Sequence, residues 1–429
     1  MENTSQEIST GKLKQLLSQD DVVVLDVRSI DAYNGWALRG ESRGGHIRDA
    51  KNLPAKWANY MDWIEIVRSK DITPEKTIVL YGYDKDNIDH VAEMFAKTGY
   101  EKIRVYHDFL NEWVADPDLS MDHLKKYRHL APPEWLHSVL ASEKPQHYDN
   151  DKYVLVHAHY RNPDDYAEGH IPGAIPMDTR ALESPETWNR RSPEELKEAL
   201  ENHGITHDTT VIVYGRFSYP KNEDPYPGSS AGHLGAIRCA AIMMYAGVED
   251  VRVLNGGIQS WEDAGYDLTT EETKPQPVQD FGAEIPGQSN LFVDLPEAKE
   301  LLSASDGDLV SVRSWPEFIG EVSGYNYIEP TGRIPGAIFG NCGSDAYHME
   351  NYRNLDHTTR EYHEIAEIWK EVGITPDKHL AFYCGTGWRG SEAFYNAWLM
   401  GWPRVSVFDG GWFEWSADPA NPTETGIPE

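Results

Sequence analysis

Positive charge is scarce in this chain. Lys and Arg number 39 against 70 Asp and Glu, a formal net charge of −31. A protein that binds the phosphate backbone needs the opposite sign, so a nucleic-acid reader is excluded. Cysteine is scarce too: Cys239, Cys342 and Cys384 are the three, an odd number with no C-x-x-C spacing. That leaves no support for a structural zinc site, a thioredoxin-like motif or a disulfide framework. No apolar run approaches the roughly 20 residues of a membrane-spanning helix. The opening MENTSQEIST has neither the basic nor the apolar stretch of a secretory leader, so the expected compartment is cytoplasmic unless a leader has been removed. Aromatic residues, by contrast, are plentiful at 11%, and apolar residues reach 40%, which excludes a disordered chain. At about 150 residues per domain, 429 residues point to three domains.

Internal repetition sharpens that estimate. IRVYHDFLNEW, VRVLNGGIQSW and VSVFDGGWFEW end at Trp113, Trp261 and Trp415. Each comes after a second phrase: TIVLYG (77–82), TVIVYG (210–215) and HLAFYC (379–384). VVVLDVRSIDAY (22–33), YVLVHAHYRNPDDY (153–166) and DLVSVRSWPEF (308–318) open the units, and GHIRDA (45–50), GHIPGA (169–174) and GRIPGA (332–337) come next. The short β-branched runs predict strands buried on both faces. Stretches such as SPEELKEALENHG (192–204), EYHEIAEIWKEVG (361–373) and DHVAEMFAKTG (89–99) predict helices that end in Gly. The expected fold is α/β: three tandem domains at 1–128, 129–275 and 290–429, each a mostly parallel sheet flanked by helices. Linkers are expected near 127–135 and 271–290, where Pro and polar residues collect.

The three units diverge just beyond the TIVLY, TVIVY and HLAFY strands. In the third, the strand leads into Cys384-Gly385-Thr386-Gly387-Trp388-Arg389-Gly390-Ser391 and then a helical pattern. A tight loop at a strand end turns successive N–H groups inward, and the helix N-terminus adds its positive dipole end. A sulfur at the centre is favoured as thiolate, and the same cradle suits an anionic substrate. Gly385 and Gly387 permit the curl, and Arg389 can close the ring as a permanent cation. Two chemistries use such a loop: phosphoryl transfer with Cys-x5-Arg, and sulfur transfer with a shorter ring. Here four residues separate Cys384 from Arg389, which favours sulfur. Gly82 and Gly215 occupy the Cys position of the first and second units, so one active site is expected among three domains.

On CGTGWR (384–389), SVRSWPEFIGEVSGYNYIEP (311–330), GHIPGA and VFDGGWFEWSADPANP (407–422), the chain resembles the rhodanese superfamily, and within it the three-domain thiosulfate sulfurtransferases of the YnjE type. The likeness covers essentially the whole chain and is weakest in the first unit. It implies that Cys384 takes the outer sulfur of thiosulfate, releases sulfite, and passes the sulfur from a persulfide to cyanide or a thiol. In this scheme Gly385, Thr386, Gly387, Trp388 and Arg389 bind substrate, with Trp388 walling the pocket. Arg313 is a weaker anion contact, because Arg28 fills the same slot in the first unit and suggests a structural ion pair instead. No cofactor or metal is implied. The partners implied are a small anionic sulfur donor and a thiol or protein acceptor, with no nucleic acid and no membrane, for a monomer. A periplasmic location is implied by the likeness if a leader was removed. The alternatives are a 3-mercaptopyruvate sulfurtransferase and a persulfide carrier whose first two domains dock proteins; a phosphatase stands further off.

The remaining candidates have plainer readings. His157, His159 and His170 could suggest a metal, but Asp26 and Ser311 fill the strand-end position elsewhere. Cys239 lies in an apolar helical pattern and is expected in the core. Cys342 is a loop cysteine or a resolving thiol. The Pro- and Tyr-rich insert 217–235 is a solvated loop or a lid over Cys384. A chain at −31 repels thiosulfate at long range, so added salt is expected to lower the thiosulfate KM by screening. A KM that instead rises steeply with salt would show that a local cation dominates.

Overall fold

Alternation along the strands places side chains in two cores at once. In the first repeat Val23, Leu25, Ile78 and Leu80 enter one hydrophobic cluster, while Val24, Val79 and Tyr81 enter another on the opposite face. The computed structural model describes residues 5–217 and 232–428. Of the insert 217–235, residues 218–231 lie outside the described residues, and the lid reading with them. Two compact units form, 1–127 and 128–429. The first holds one repeat and the second holds two.

Each repeat builds a five-stranded parallel sheet in the same order. Across the first sheet run Ser5–Glu7, Ile103–Tyr106, Thr77–Tyr81, Val22–Asp26 and Lys51–Asn52. The second runs Leu130–Ala131, Asp250–Leu254, Thr210–Tyr214, Tyr153–His159 and Ile175–Asp178. The third runs Phe292–Val293, Val405–Phe408, His379–Tyr383, Gly307–Ser311 and Ile338–Phe339. Gly82, Gly215 and Cys384 each come directly after the central strand, at the carboxyl edge where open α/β sheets bind ligands. The helices form where the sequence signals them, as at Pro193–Asn202 behind the Ser192/Glu195 capping box. Gly99, Gly204 and Gly373, all at positive φ, sit just past their C-caps.

The repeated phrases are structural. Trp113, Trp261 and Trp415 are buried, and each indole N–H donates to a carbonyl six or seven residues downstream. His46 stacks on Tyr33 and donates from Nδ1 to its carbonyl, as His170 does with Tyr166. Arg333 takes that slot in the third repeat, over Phe318. The glycine carbonyl before each of these residues receives an arginine: Arg28 on Gly45 (2.6 Å), Arg216 on Gly169 (3.1 Å) and Arg313 on Gly332 (2.6 Å).

Within the second unit the helices after the two central strands, Gly232–Ala246 and Trp388–Leu399, pack on one another. Gly232–Ala246 is buried along its whole length, and apart from His233 and Arg238 its faces are built of apolar and small residues, as burial on every side demands. Cys239 lies there, in the core, with its thiol pushed well up by burial. A chain of alternating charges, buried except at its Asp294 end, crosses the same interface. Arg190 bonds Asp294 and Asp409 (2.7 Å each), and Arg238 bonds Asp409 and Glu183 (3.0 Å). The sequence outlines three repeats but not that two of them share one interior.

The empty cradles are filled by the fold itself. A Cβ on Gly215 would stand 2.3 Å from the Gly232 carbonyl oxygen, and one on Gly82 would stand 2.8 Å from Val27. Gly215→Cys is therefore expected to destabilise the protein by about 1–3 kcal/mol through overpacking and to add no second persulfide. Urea unfolding and intact mass after donor treatment check both halves.

Candidate active site

Cys384 directly follows the central strand of the third sheet, His379–Tyr383, and Gly387 at φ +100° turns the loop into the Trp388–Leu399 helix. Side chains rarely adopt that backbone, and a Cβ on Gly387 would also lie 3.0 Å from Arg238. The N–H of Gly387 donates to Cys384 Sγ at 3.2 Å. Two loop carbonyls are fixed from behind, Cys384 by the N–H of Trp412 (2.9 Å) and Gly385 by that of Phe413 (3.0 Å). Burial pushes the Cys384 thiol up, but the Arg389 charge and the N–H groups of Gly390, Thr386 and Gly387 outweigh it, and the thiol ends below its ordinary value. The loop thus favours the thiolate, the nucleophilic form of the sulfur.

Arg389 occupies a different place from the one expected of it. Its fork is spent on the buried Glu317, Nη1 to Oε2 at 3.0 Å and Nη2 to Oε1 at 2.9 Å, with Nη1 also on the Asp345 carbonyl. A bidentate pair in a buried setting leaves little of the fork for a substrate anion, so Arg389 acts on Cys384 through its field. Burial alone would raise Glu317, yet Arg389 first, then Arg313 and the Ser314 N–H, hold it at about 2. The stability Glu317 contributes is complete above the ordinary carboxylate value and is lost as pH falls towards about 2. Of the two roles open to Arg313, the geometry fits the structural ion pair: it is fully buried against Glu317 and Gly332 and does not line the cavity, and Arg28 makes the matching bond in the first repeat.

A cavity of about 290 Å³ opens over Cys384. Thr386, Trp388 and Arg389 line it, together with residues the sequence reasoning did not single out: Tyr160, Arg161 and Trp188 from the second repeat, and Tyr325, Tyr327 and Tyr347 from the third. Five of the rings form a continuous wall. Trp388 meets Tyr160 edge-on at 5.4 Å, Tyr160 meets Trp188 at 5.8 Å, Trp188 meets Tyr327 at 5.5 Å, and Tyr327 meets Tyr325 at 5.3 Å. The Tyr325 hydroxyl accepts from Gly385 N–H (3.1 Å) and Arg389 Nη2 (2.5 Å). With both acceptor positions used, its own proton is left to donate. Burial keeps Tyr325 protonated.

The other candidates lie elsewhere. Cys342 is buried, its Sγ donates to the Val312 carbonyl, and burial pushes its thiol up to about 12, so it is a poor resolving thiol. His157 lies 3.5 Å from Asp165, and His170 is in its structural stack. Among the described residues no three His, Cys, Asp or Glu side chains converge as a metal site.

One thiolate in an amide cradle, carried by one of three α/β repeats, defines a sulfurtransferase site. The family model of the rhodanese-like domain matches residues 9–116, 141–264 and 294–418, and the chain belongs to the rhodanese family. It is 41% identical over 416 residues to thiosulfate sulfurtransferase YnjE of Escherichia coli K12, covering 96% of this chain and 90% of the relative. The wild-type structure of EanB is 61% identical, with a TM-score of 0.98 over the whole of both chains. A second EanB structure, 61% identical with a TM-score of 0.97 over 99% of this chain and all of that one, holds ergothioneine covalently linked to a persulfide cysteine. A third holds hercynine, at 60% identity and a TM-score of 0.98 over the whole of both chains.

Cys384 is expected to be alkylated by iodoacetamide with a midpoint below that of a free cysteine, and Arg389→Ala to move that midpoint up. The same substitution removes the bidentate partner of Glu317 and leaves it Arg313 and the Ser314 N–H, and is expected to cost about 1.5–3 kcal/mol in urea unfolding. An unchanged midpoint would remove Arg389 from the electrostatics of the thiolate.

Proposed function

We propose that this sulfurtransferase loads Cys384 from a small sulfane-sulfur donor, with thiosulfate the first choice, and passes the sulfur to the ring carbon of an imidazole such as hercynine. The observation that carries this reading is the aromatic wall. Thiosulfate and cyanide need neither about 290 Å³ nor five rings, and the fork nearest the sulfur is already occupied by Glu317. Aromatic walls recognise flat heterocycles and quaternary ammonium groups. Hercynine carries both, with a carboxylate that Arg161 at the rim can meet. The hercynine and ergothioneine complexes of EanB support the same acceptor class.

The steps balance. Cys384 thiolate attacks the outer sulfur of thiosulfate, the S–S bond breaks, and sulfite leaves. The terminal sulfur of the persulfide then adds to the carbon between the two ring nitrogens. That carbon loses its proton, the ring nitrogen that lacked one gains a proton, the new C–S bond becomes a thione, and the persulfide S–S bond breaks to return Cys384 as thiolate. Tyr325, whose proton is free to donate, is placed to hydrogen-bond a ring nitrogen as charge shifts onto it. The sulfane sulfur is reduced and the ring carbon oxidised, so no external oxidant is required.

A thiosulfate-to-cyanide or thiosulfate-to-thiol enzyme is the second reading, favoured by the 41% identity to YnjE. Intact mass after thiosulfate is expected to rise by about one sulfur atom, and hercynine is expected to remove that sulfur and appear as its thione. Cys384→Ala is expected to abolish both, while Cys239→Ser and Cys342→Ser keep most of the activity. A persulfide discharged by cyanide but untouched by hercynine would select the second reading.

A further inference from the structure

We infer that Glu183, which belongs to a repeat without a nucleophile, sets the preference of the acceptor cavity for a cationic group by placing a negative charge on the indole N–H of Trp388. The inference rests on the acceptor reading above, and goes beyond it in naming what selects the acceptor.

Glu183 is buried and does not line the cavity. Trp388 Nε1 donates to its carboxylate, 3.0 Å from each oxygen. On its far edge the indole rests on the second repeat at Gly235, where a Cβ would come within 3.2 Å of Cη2. The ring is thus fixed at both ends by the second repeat while it forms part of the wall over Cys384. An N–H bonded to a carboxylate sends electron density into its ring, and a denser π face attracts a cation more strongly.

The charge on Glu183 is not fully answered. In the chain from Asp294 through Arg190, Asp409 and Arg238 to Glu183, each arginine is shared by two carboxylates. Asp294 is exposed to water, so Arg190 serves the outer part of the chain, and Glu183, at the interior end against the indole, has Arg238 as its cation and shares it with Asp409. The groups that face Glu183 are Arg238 and Cys239 on the Gly232–Ala246 helix, Trp388, Asp409 beyond the Val405–Phe408 strand, and Tyr160 beyond Tyr153–His159. Burial pushes the Glu183 carboxyl up to about 7, with Arg238 pulling the other way. Its charge is then complete only above neutral pH.

The test is equilibrium binding of hercynine and of 3-(imidazol-4-yl)propionate, which has the ring and carboxylate but no ammonium, to full-length persulfide-free protein. Glu183→Gln keeps an acceptor for the indole N–H and removes the charge. It is expected to weaken hercynine roughly threefold to tenfold and to leave the propionate unchanged. The wild-type advantage over Glu183→Gln is expected to be small at about pH 6 and full at about pH 8. Glu183→Ala, which leaves the N–H unpaired, is expected to weaken both ligands. Loading of Cys384 by thiosulfate, read by mass, is expected to be unchanged in Glu183→Gln. Equal hercynine binding by wild type and Glu183→Gln, or equal loss of both ligands in Glu183→Gln, would overturn the inference. If the wild type binds neither imidazole, the acceptor reading fails, and tetramethylammonium replaces them in the same titration. Tighter binding of it by wild type than by Glu183→Gln would still uphold the role of Glu183, and equal or absent binding would overturn it.

Discussion

A thiolate shut away from water must have its charge answered by its immediate surroundings. Everything around Cys384 obeys that constraint. Gly387 turns the loop so that amide hydrogens face the sulfur, the helix behind it begins at once, and Arg389 lies within reach of the sulfur's field. Arg389 is itself buried and has to be balanced, which is the task of Glu317. Glu317 is in turn held by Arg313 and the Ser314 N–H. A continuous series of buried charges therefore runs from the sulfur through Arg389 and Glu317 to Arg313.

The same constraint separates the two tasks of the site. The amide cradle stabilises sulfur as an anion, whatever the donor. In the proposed reaction the aromatic wall selects what receives the sulfur; it is assembled from two repeats, Tyr160 and Trp188 from one, Tyr325, Tyr327 and Trp388 from the other. A repeat without a nucleophile still shapes the site, because the wall exists only where the two repeats pack. The buried charge chain across that interface fixes the relation between them, since parting any pair would leave an uncompensated ion in the interior.

What the sequence made legible was local. The repeat, the parallel sheets, the catalytic loop and the reason for a lowered thiol all reside in short contiguous stretches, and strand alternation and glycine positions carry them. Glu317 was within reach as well, for it lies one helical turn beyond Arg313 in the same SVRSWPEF phrase. Glu183, Arg238, Tyr160 and Trp188 were not. Each sits far from Cys384 in the chain and becomes part of its surroundings only through packing of one repeat on another. Arg389 was legible but its pairing with Glu317 was not, because the bond between them spans 72 residues of chain.

The filled cradles of the first two repeats have an evolutionary consequence. Once Gly215 let the Gly232 backbone close to 2.3 Å of the position a Cβ would take, the space for a side chain was gone. A cysteine there would need the helix start to retreat as well, so one substitution does not equip the second repeat with a nucleophile. Close packing works as a ratchet: it makes the division of labour among repeated domains hard to undo by single changes of residue.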